Sequence, residues 1–361
     1  MKSFRCIMFI LSCTMVFNLY GCSLFGGDSN SQKDNGNYVN EDGYVAKVEG
    51  QKITIPEFRY LLSYVMSGME DNAGLSEGTF IDKIGYWQRI EENQEEDNET
   101  IAKKEALKRL KEMKIINIKA KEQNIVLDED DIAEVKNYTQ HYIDNVADGN
   151  REVAEGIMLD ELGMNFREFE ALNGELVLTR KFREKLMQEM EISDDELLEL
   201  YESKTEIYDA VLIEYILILT ETYPWEDPLK DDEIEEKRIL AQEILQMAIG
   251  GRDFDALTEE YTEDPDFDLY GNQYAFVVAD AAGEVDLWAA SSQEGDFNMF
   301  EVPAGFLIVK TTKKFGFEDA REIIKKDIRL SRYIEQLEVW MKDDKYEIEI
   351  NQPVFDSMGV Q

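Results

Sequence analysis

Cysteine and histidine are nearly absent. Cys6, Cys13 and Cys22 are the only cysteines, and His141 is the one histidine among 361 residues. Downstream of Cys22 this excludes a disulfide framework, a Cys/His zinc site, a Ser-His-Asp triad and a Cys-His pair of the usual kind. His141 follows Tyr138 by three on a predicted helix, off the stripe of Ile132, Val135 and Tyr142. It reads as a solvated surface residue rather than a ligand. Positive charge is also scarce, with 38 basic residues against 78 acidic ones and a net charge of −40. Such an excess disfavours nucleic acid as a partner and flat docking on anionic lipid. No cofactor and no metal are expected.

The N-terminus carries Lys2 and Arg5, an apolar run from Cys6 to Phe17, then Leu19-Tyr20-Gly21-Cys22. Charged, apolar and small-residue regions in that order mark a secretion signal. The run falls short of the roughly 20 apolar residues of a transmembrane helix. Leu-Tyr-Gly-Cys resembles the lipobox of bacterial lipoproteins, with Tyr20 standing where a small residue is usual. The resemblance implies cleavage after residue 21, a diacylglycerol on the Cys22 sulfur and an extracytoplasmic protein anchored by lipid to the cell membrane. The alternative is a signal peptide cut elsewhere, which leaves an unpaired thiol in an exported chain or none. Two acyl chains hold firmly where one holds marginally, each buried methylene contributing about 0.8 kcal/mol. Residues 22–42, rich in Gly, Ser, Asn and Asp, read as a flexible spacer.

Periodic structure begins with alternating Val45 and Val48, a turn at Glu49-Gly50 and a second strand at Ile53-Thr54-Ile55. Thr54 and Glu57 are spaced as a capping box. Phe58, Leu61, Leu62, Val65, Met66 and Met69 then form a helical stripe, which reads as core and, through its methionines, alternatively as an adaptable binding groove. A long helix is predicted near 101–123, with Ala106, Leu110, Met113 and Ala120 buried. Its Lys103, Lys104, Lys108, Arg109, Lys111, Lys114, Lys119 and Lys121 read as a solvated face paired with neighbouring acids, or alternatively as a patch for an anionic partner. Helices follow near 129–146, 152–162 and 166–189, and Ser193 with Glu196 caps another.

The pattern then changes. Val211 to Leu219 is a near-continuous run of branched apolar residues, as in a strand buried on both faces. A helix carrying Ile234, Ala241, Leu245 and Ala248 ends at Gly250-Gly251, a short helix spans 254–261, and strands are predicted at 274–278 and 306–310. A last helix presents Ile323, Leu330, Ile334, Leu337 and Met341, and Tyr346 to Ile350 alternates as a strand. The opening hairpin is its expected partner. The fold class is therefore α+β, a mainly helical body closed by the C-terminal helix and strand, with an inserted α/β module.

Several segments resemble the extracytoplasmic parvulin-type foldases, whose best-known groups are the PrsA lipoproteins and SurA periplasmic chaperones. VAKVEGQKITIPEF is similar to the start of their chaperone module, ISDDELLELYESK to its exit, GGRDFDALTEEYTEDP to the parvulin segment with a Ser/Thr-Glu-Asp-Pro turn, and WMKDDKYEIEIN to the closing helix and strand. The resemblance implies a helical domain over 43–205, a parvulin-like domain over 206–313 and a returning segment over 314–361. The family isomerises Xaa-Pro bonds with two histidines, a Cys or Asp, and a Leu, Met and Phe proline slot. Here Tyr215 stands at the first histidine, Leu307 at the second and Asp264 at the acidic position. Gln273, Ala281 and Val285 fall at the slot's Leu, Met and Phe. Asp264, Asp266 and Asp268 also invite a calcium loop, but Leu269 and Ala275 stand where its Gly and Glu belong.

The expectation is thus a membrane-anchored folding factor that holds unfolded or partly folded exported proteins and carries a degenerate, non-catalytic parvulin-like module. The alternatives are an active peptidyl-prolyl isomerase with a pocket rebuilt around Tyr215, and a surface solute-binding or adhesion lipoprotein.

Overall fold

The fold comes from a computed structural model that describes residues 43–75, 79–220 and 229–359. The signal segment, Cys22 and the spacer lie outside these residues. Two compact units divide the chain, one spanning Ile192–Ile328 and the other combining 43–191 with 329–359. The expected domain limits at 205/206 and 313/314 fall inside the first of these.

In the discontinuous unit, β1 (Tyr44–Val48) and β2 (Gln51–Thr54) form a hairpin. Glu49 and Gly50 both have positive φ at its turn, the geometry that matches the twist of two strands joined by two residues. The helix α1 (Ile55–Asn72) starts from the expected capping box, since the Thr54 N–H donates to the Glu57 carboxylate at 2.7 Å and the Glu57 N–H to the Thr54 hydroxyl. Phe58, Leu61, Leu62 and Val65 are buried, with Met66 and Met69 packed beside them. A helix the sequence reading did not anticipate, α2 (Phe80–Trp87), buries Trp87, whose indole N–H donates to Glu70 at 3.0 Å.

The long basic helix α3 (Asn98–Glu122) is the centre of this unit, and only part of its basic face is solvated and paired with neighbouring acids as expected. Ile115, Ile116 and Ile118 are buried together with the expected Ala106, Leu110, Met113 and Ala120, so its second half is enclosed nearly all round. Lys103, Lys111 and Lys114 are buried or half-buried, whereas Lys104, Lys108 and Lys121 stay exposed. Lys114 is 3% exposed and bridges Glu57 on α1 at 2.9 Å and Glu175 at 2.7 Å. Lys111 donates to the Met341 carbonyl at 2.9 Å, and Lys103 lies over the Phe355 ring. Outward pairs such as Arg109 with Glu105 account for the remainder of the expected surface pairing.

Three helices follow, α4 (Glu129–Ala147), α5 (Arg151–Leu162) and α6 (Phe166–Glu189). The buried line of α4 is Val135, Thr139 and Ile143, while Ile132 is 44% exposed. Of its expected stripe, Val135 is buried and Tyr142 packs against Phe166 and Phe169. Only Ile132 is turned out, and Thr139 enters the line with its hydroxyl bonded back to the Val135 carbonyl. His141 is exposed beside Asn145.

The second unit opens with α7 (Asp194–Ser203), on the Ser193–Glu196 capping box, and α8 (Thr205–Tyr208). It continues through β3 (Ala210–Leu219), α9 (Asp231–Ile249), α10 (Phe254–Tyr261), α11 (Phe267–Tyr270), β4 (Gln273–Val277), α12 (Gly283–Ser291), β5 (Phe297–Val302) and β6 (Gly305–Phe315). The sheet order is β4-β3-β6-β5, antiparallel throughout. Ile216, Ile218, Phe306 and Ile308 pack against α9 and α10 on one face. Val211, Ile213, Phe276, Phe300 and Val309 pack with Ala289 of α12 on the other. The long helix α13 (Phe317–Lys342) gives Ala320 and Ile324 to this unit, where they meet Leu197 and Tyr208.

Beyond Ile328, α13 belongs to the discontinuous unit. Its buried residue there is Tyr333, with Leu337 and Trp340 partly buried. Ile323 and Ile334, expected inward, are exposed. The strand β7 (Ile348–Ile350) pairs antiparallel with β1, giving the order β2-β1-β7, and α14 (Gln352–Ser357) closes the chain's described part. The architecture is α+β, mainly helical, with the first and last described strands, β1 and β7, in one sheet.

Candidate functional site

The central strand β3 is flanked by β4 only along Ala210–Glu214. Farther along, the segment after α10 takes the place of β4. The Glu263 N–H donates to the Leu217 carbonyl at 2.8 Å, and the Leu219 N–H to the Glu263 carboxylate at 2.8 Å. This docking carries Asp264 to Tyr215, whose hydroxyl donates to Asp264 Oδ2 at 2.8 Å. Asp264 Oδ1 accepts the Asp266 N–H at 3.0 Å, the local turn chemistry of an Asp before proline. Both carboxylate oxygens are therefore engaged within the protein.

Burial, then the hydrogen bond and charge of Asp264, then the charge of Asp266, push the Tyr215 phenol above its ordinary range. It stays neutral and acts as a donor already committed to Asp264. Leu307, on β6, sits opposite Leu217. Leu307, Ala281 and Val285 join Tyr215, Tyr274 and Trp288 around the apolar cluster on this side of the sheet. Burial raises the Asp286 carboxyl on α12 from its ordinary value, offset in part by the Ala282 N–H that it accepts at 3.1 Å.

Gln273 is not brought to this face. It lies opposite Glu214 and donates its amide to Glu214 Oε1 at 3.1 Å. Successive strand residues face opposite sides, so Glu214 and Gln273 belong to the side away from Tyr215. Lys310 completes that group at 2.8 Å from Glu214. Burial opposes the Glu214 charge, but Lys310 and the Gln273 amide hold the carboxyl below its usual range.

One residue at the site was missed in sequence. Tyr274 stacks with Phe276 at 5.6 Å, while Trp288, expected in a core, packs against the cluster and meets Phe300 edge-on at 5.5 Å. Period-two alternation from the buried Phe276 was the available signal for Tyr274. A neutral phenol, an internally bonded carboxylate and a wall of apolar and aromatic side chains can hold a nonpolar group. They offer no imidazole for proton transfer.

No protein-family model and no curated protein matches the sequence. Among solved structures, the chain is similar to foldase protein PrsA from Streptococcus pneumoniae, at 17% identity over 70% of this chain and 88% of that one, with a TM-score of 0.28. PrsA of Bacillus cereus matches at 20% identity over 68% and 83%, with a TM-score of 0.29. A SurA-like chaperone of Campylobacter jejuni matches at 11% identity over 86% and 99%, with a TM-score of 0.30. Likeness this distant does not decide the chemistry of the site.

Proposed function

We propose that this chain is an extracytoplasmic folding factor that holds unfolded or partly folded exported proteins and no longer isomerises proline bonds efficiently. The observation that carries the second half is the bond between Tyr215 and Asp264, at the positions where the resembled family has a histidine and its acidic partner, with Leu307 at the other histidine. Rotation about a peptide bond faces a barrier of about 18–20 kcal/mol. An enzyme lowers it only through contacts stronger in the twisted amide than in the planar one. Here the polar groups are spent on each other. Ala281 and Val285 in place of larger side chains also reduce the apolar area for a proline ring, each Å² being worth about 25 cal/mol.

The folding-factor half is supported by the motifs quoted above and by the return of β7 to β1, which makes the sheet unit an insertion in a helical body. On this reading, 43–205 is the chaperone-like domain, 206–313 the parvulin-like domain and 314–361 the returning segment. Residues 1–21 are a signal peptide, 22–42 the spacer, and lipid on Cys22 the membrane anchor. Nucleic acid is not a partner. Mass spectrometry of the processed N-terminus tests the anchor, since an unmodified Cys22 contradicts it. A proline-peptide isomerisation assay on the chain from Ser23 onward tests the chemistry. The background rate is expected, and a rate well above it that Asp264→Ala abolishes would overturn the non-catalytic reading.

A further inference from the structure

The outer strand β4 has one side unpaired by any strand among the described residues. Its register with β3 fixes which backbone groups face outward. The Val278 N–H donates to the Asp209 carbonyl and the Tyr215 N–H to the Asn272 carbonyl, so Tyr274 and Phe276 are the residues that exchange hydrogen bonds with β3. The N–H and C=O groups of Gln273, Ala275 and Val277 therefore point to the free edge. Gln273 and Ala275 are exposed.

Natural edge strands are usually guarded by lysine, proline or inward charges against pairing with another chain. This one has no such guard. In a chain that is 32% charged, the stretch from Leu269 to Ala279 contains no Asp, Glu, Lys, Arg or Pro. Leu269 and Tyr270, at its start, are 75% and 80% exposed. Acids stand at both ends, Asp264, Asp266 and Asp268 before it and Asp280 and Glu284 after it.

We propose that β4 takes up an extended polypeptide segment by strand addition, and that the segment it prefers is uncharged in its centre and carries lysine or arginine at its ends. Main-chain bonds to Gln273, Ala275 and Val277 make the recognition tolerant of sequence, and the flanking acids supply the charge selection. A second copy of this chain fits poorly. Antiparallel self-pairing would set the acids before one β4 against those after the other, on molecules of net charge −40. Identification of the segment with an unfolded client rests on the folding-factor reading, whereas the edge and its charge pattern do not.

The test uses the chain from Ser23 onward and a short fluorescent peptide of alternating valine and threonine with lysines at both ends. Glutamate-ended and alternately N-methylated forms are the controls. The lysine-ended peptide is expected to bind at least about tenfold tighter than either control, a few backbone hydrogen bonds and a charge term being worth that much. Ala275→Pro removes an outward N–H that β3 does not use, which an edge strand tolerates. It should weaken binding at least about tenfold, as should Ala275→Lys, which decides the matter if the proline variant does not fold. Equal binding of all three peptides, or wild-type binding by both variants, overturns the proposal. So does a dimer that Ala275→Lys dissociates while no peptide binds. Peptide binding without suppression of client aggregation sinks the folding-factor reading and leaves the edge site standing. Suppression that Ala275→Lys leaves unchanged, with no peptide bound, does the reverse.

Discussion

Tyr215→Phe removes one hydroxyl whose hydrogen bond among the described residues, at 2.8 Å, goes to Asp264. A bond to a charged acceptor contributes about 1.5–3 kcal/mol. Asp264 is only partly buried, so water can replace the lost donor and the cost falls near about 1.5 kcal/mol. For a unit of this size that corresponds to a melting-temperature drop of about 3–6 °C, read by calorimetry on the chain from Ser23 onward. The pH dependence has a definite sign. Burial first, and then Asp264 and Asp266, raise the phenol above its ordinary 10.0 in the folded protein. The stability of the wild type over the variant is therefore fully present below about pH 10, the unfolded-state value, and is lost as pH rises through the higher folded-state value. A variant as stable as the wild type that nevertheless loses client holding or proline-peptide turnover would refute the structural role given to this hydroxyl.

Lys114→Met should destabilise the helical unit by about 3–5 kcal/mol in urea unfolding, because Glu57 and Glu175 lose their buried partner. Adding Glu57→Gln and Glu175→Gln should recover most of it, since glutamine still serves the capping box at Thr54. Burial lowers the Lys114 pKa, but Glu57 and Glu175 together raise it above 10.5. Its contribution should thus persist below that pH and fade only above it. Gly305→Ala should cost at least about 2 kcal/mol, because φ is +148° and a Cβ would lie 2.0 Å from the Ile218 carbonyl oxygen. Gly68→Ala, in an exposed turn of α1 with nothing within 4 Å of its Cβ, should instead stabilise by about 0.5–1 kcal/mol. Thermal unfolding distinguishes the two glycines.

Elements signalled by local chemistry were legible in sequence. The capping boxes at Thr54 and Ser193 both form, because each needs only residues three apart. The branched run at Val211–Leu219 became the central strand because it has to satisfy two faces. At the basic helix the local pairs were legible, as Arg109 with Glu105 and Lys119 with Glu122, but the partners of the buried Lys114 lie 57 and 61 residues away, beyond the reach of local counting. The strand β5 was missed because FNMFEV alternates weakly and takes its place by pairing with β6. At the site, the meeting of Tyr215 with Asp264 depends on the α10 exit replacing β4 along β3, a tertiary fact with no local signature. The family resemblance sets Gln273 at the slot's Leu, whereas the pleat turns it toward Glu214.

The central claim is that this protein holds unfolded chains without proline chemistry. Its most direct test follows the light scattering of a denatured exported protein diluted into buffer without nucleotide, with the chain from Ser23 onward added in increasing ratio. Suppression that saturates near stoichiometric amounts, and survives Asp264→Ala, is the predicted result. Unchanged aggregation at a several-fold excess would contradict it.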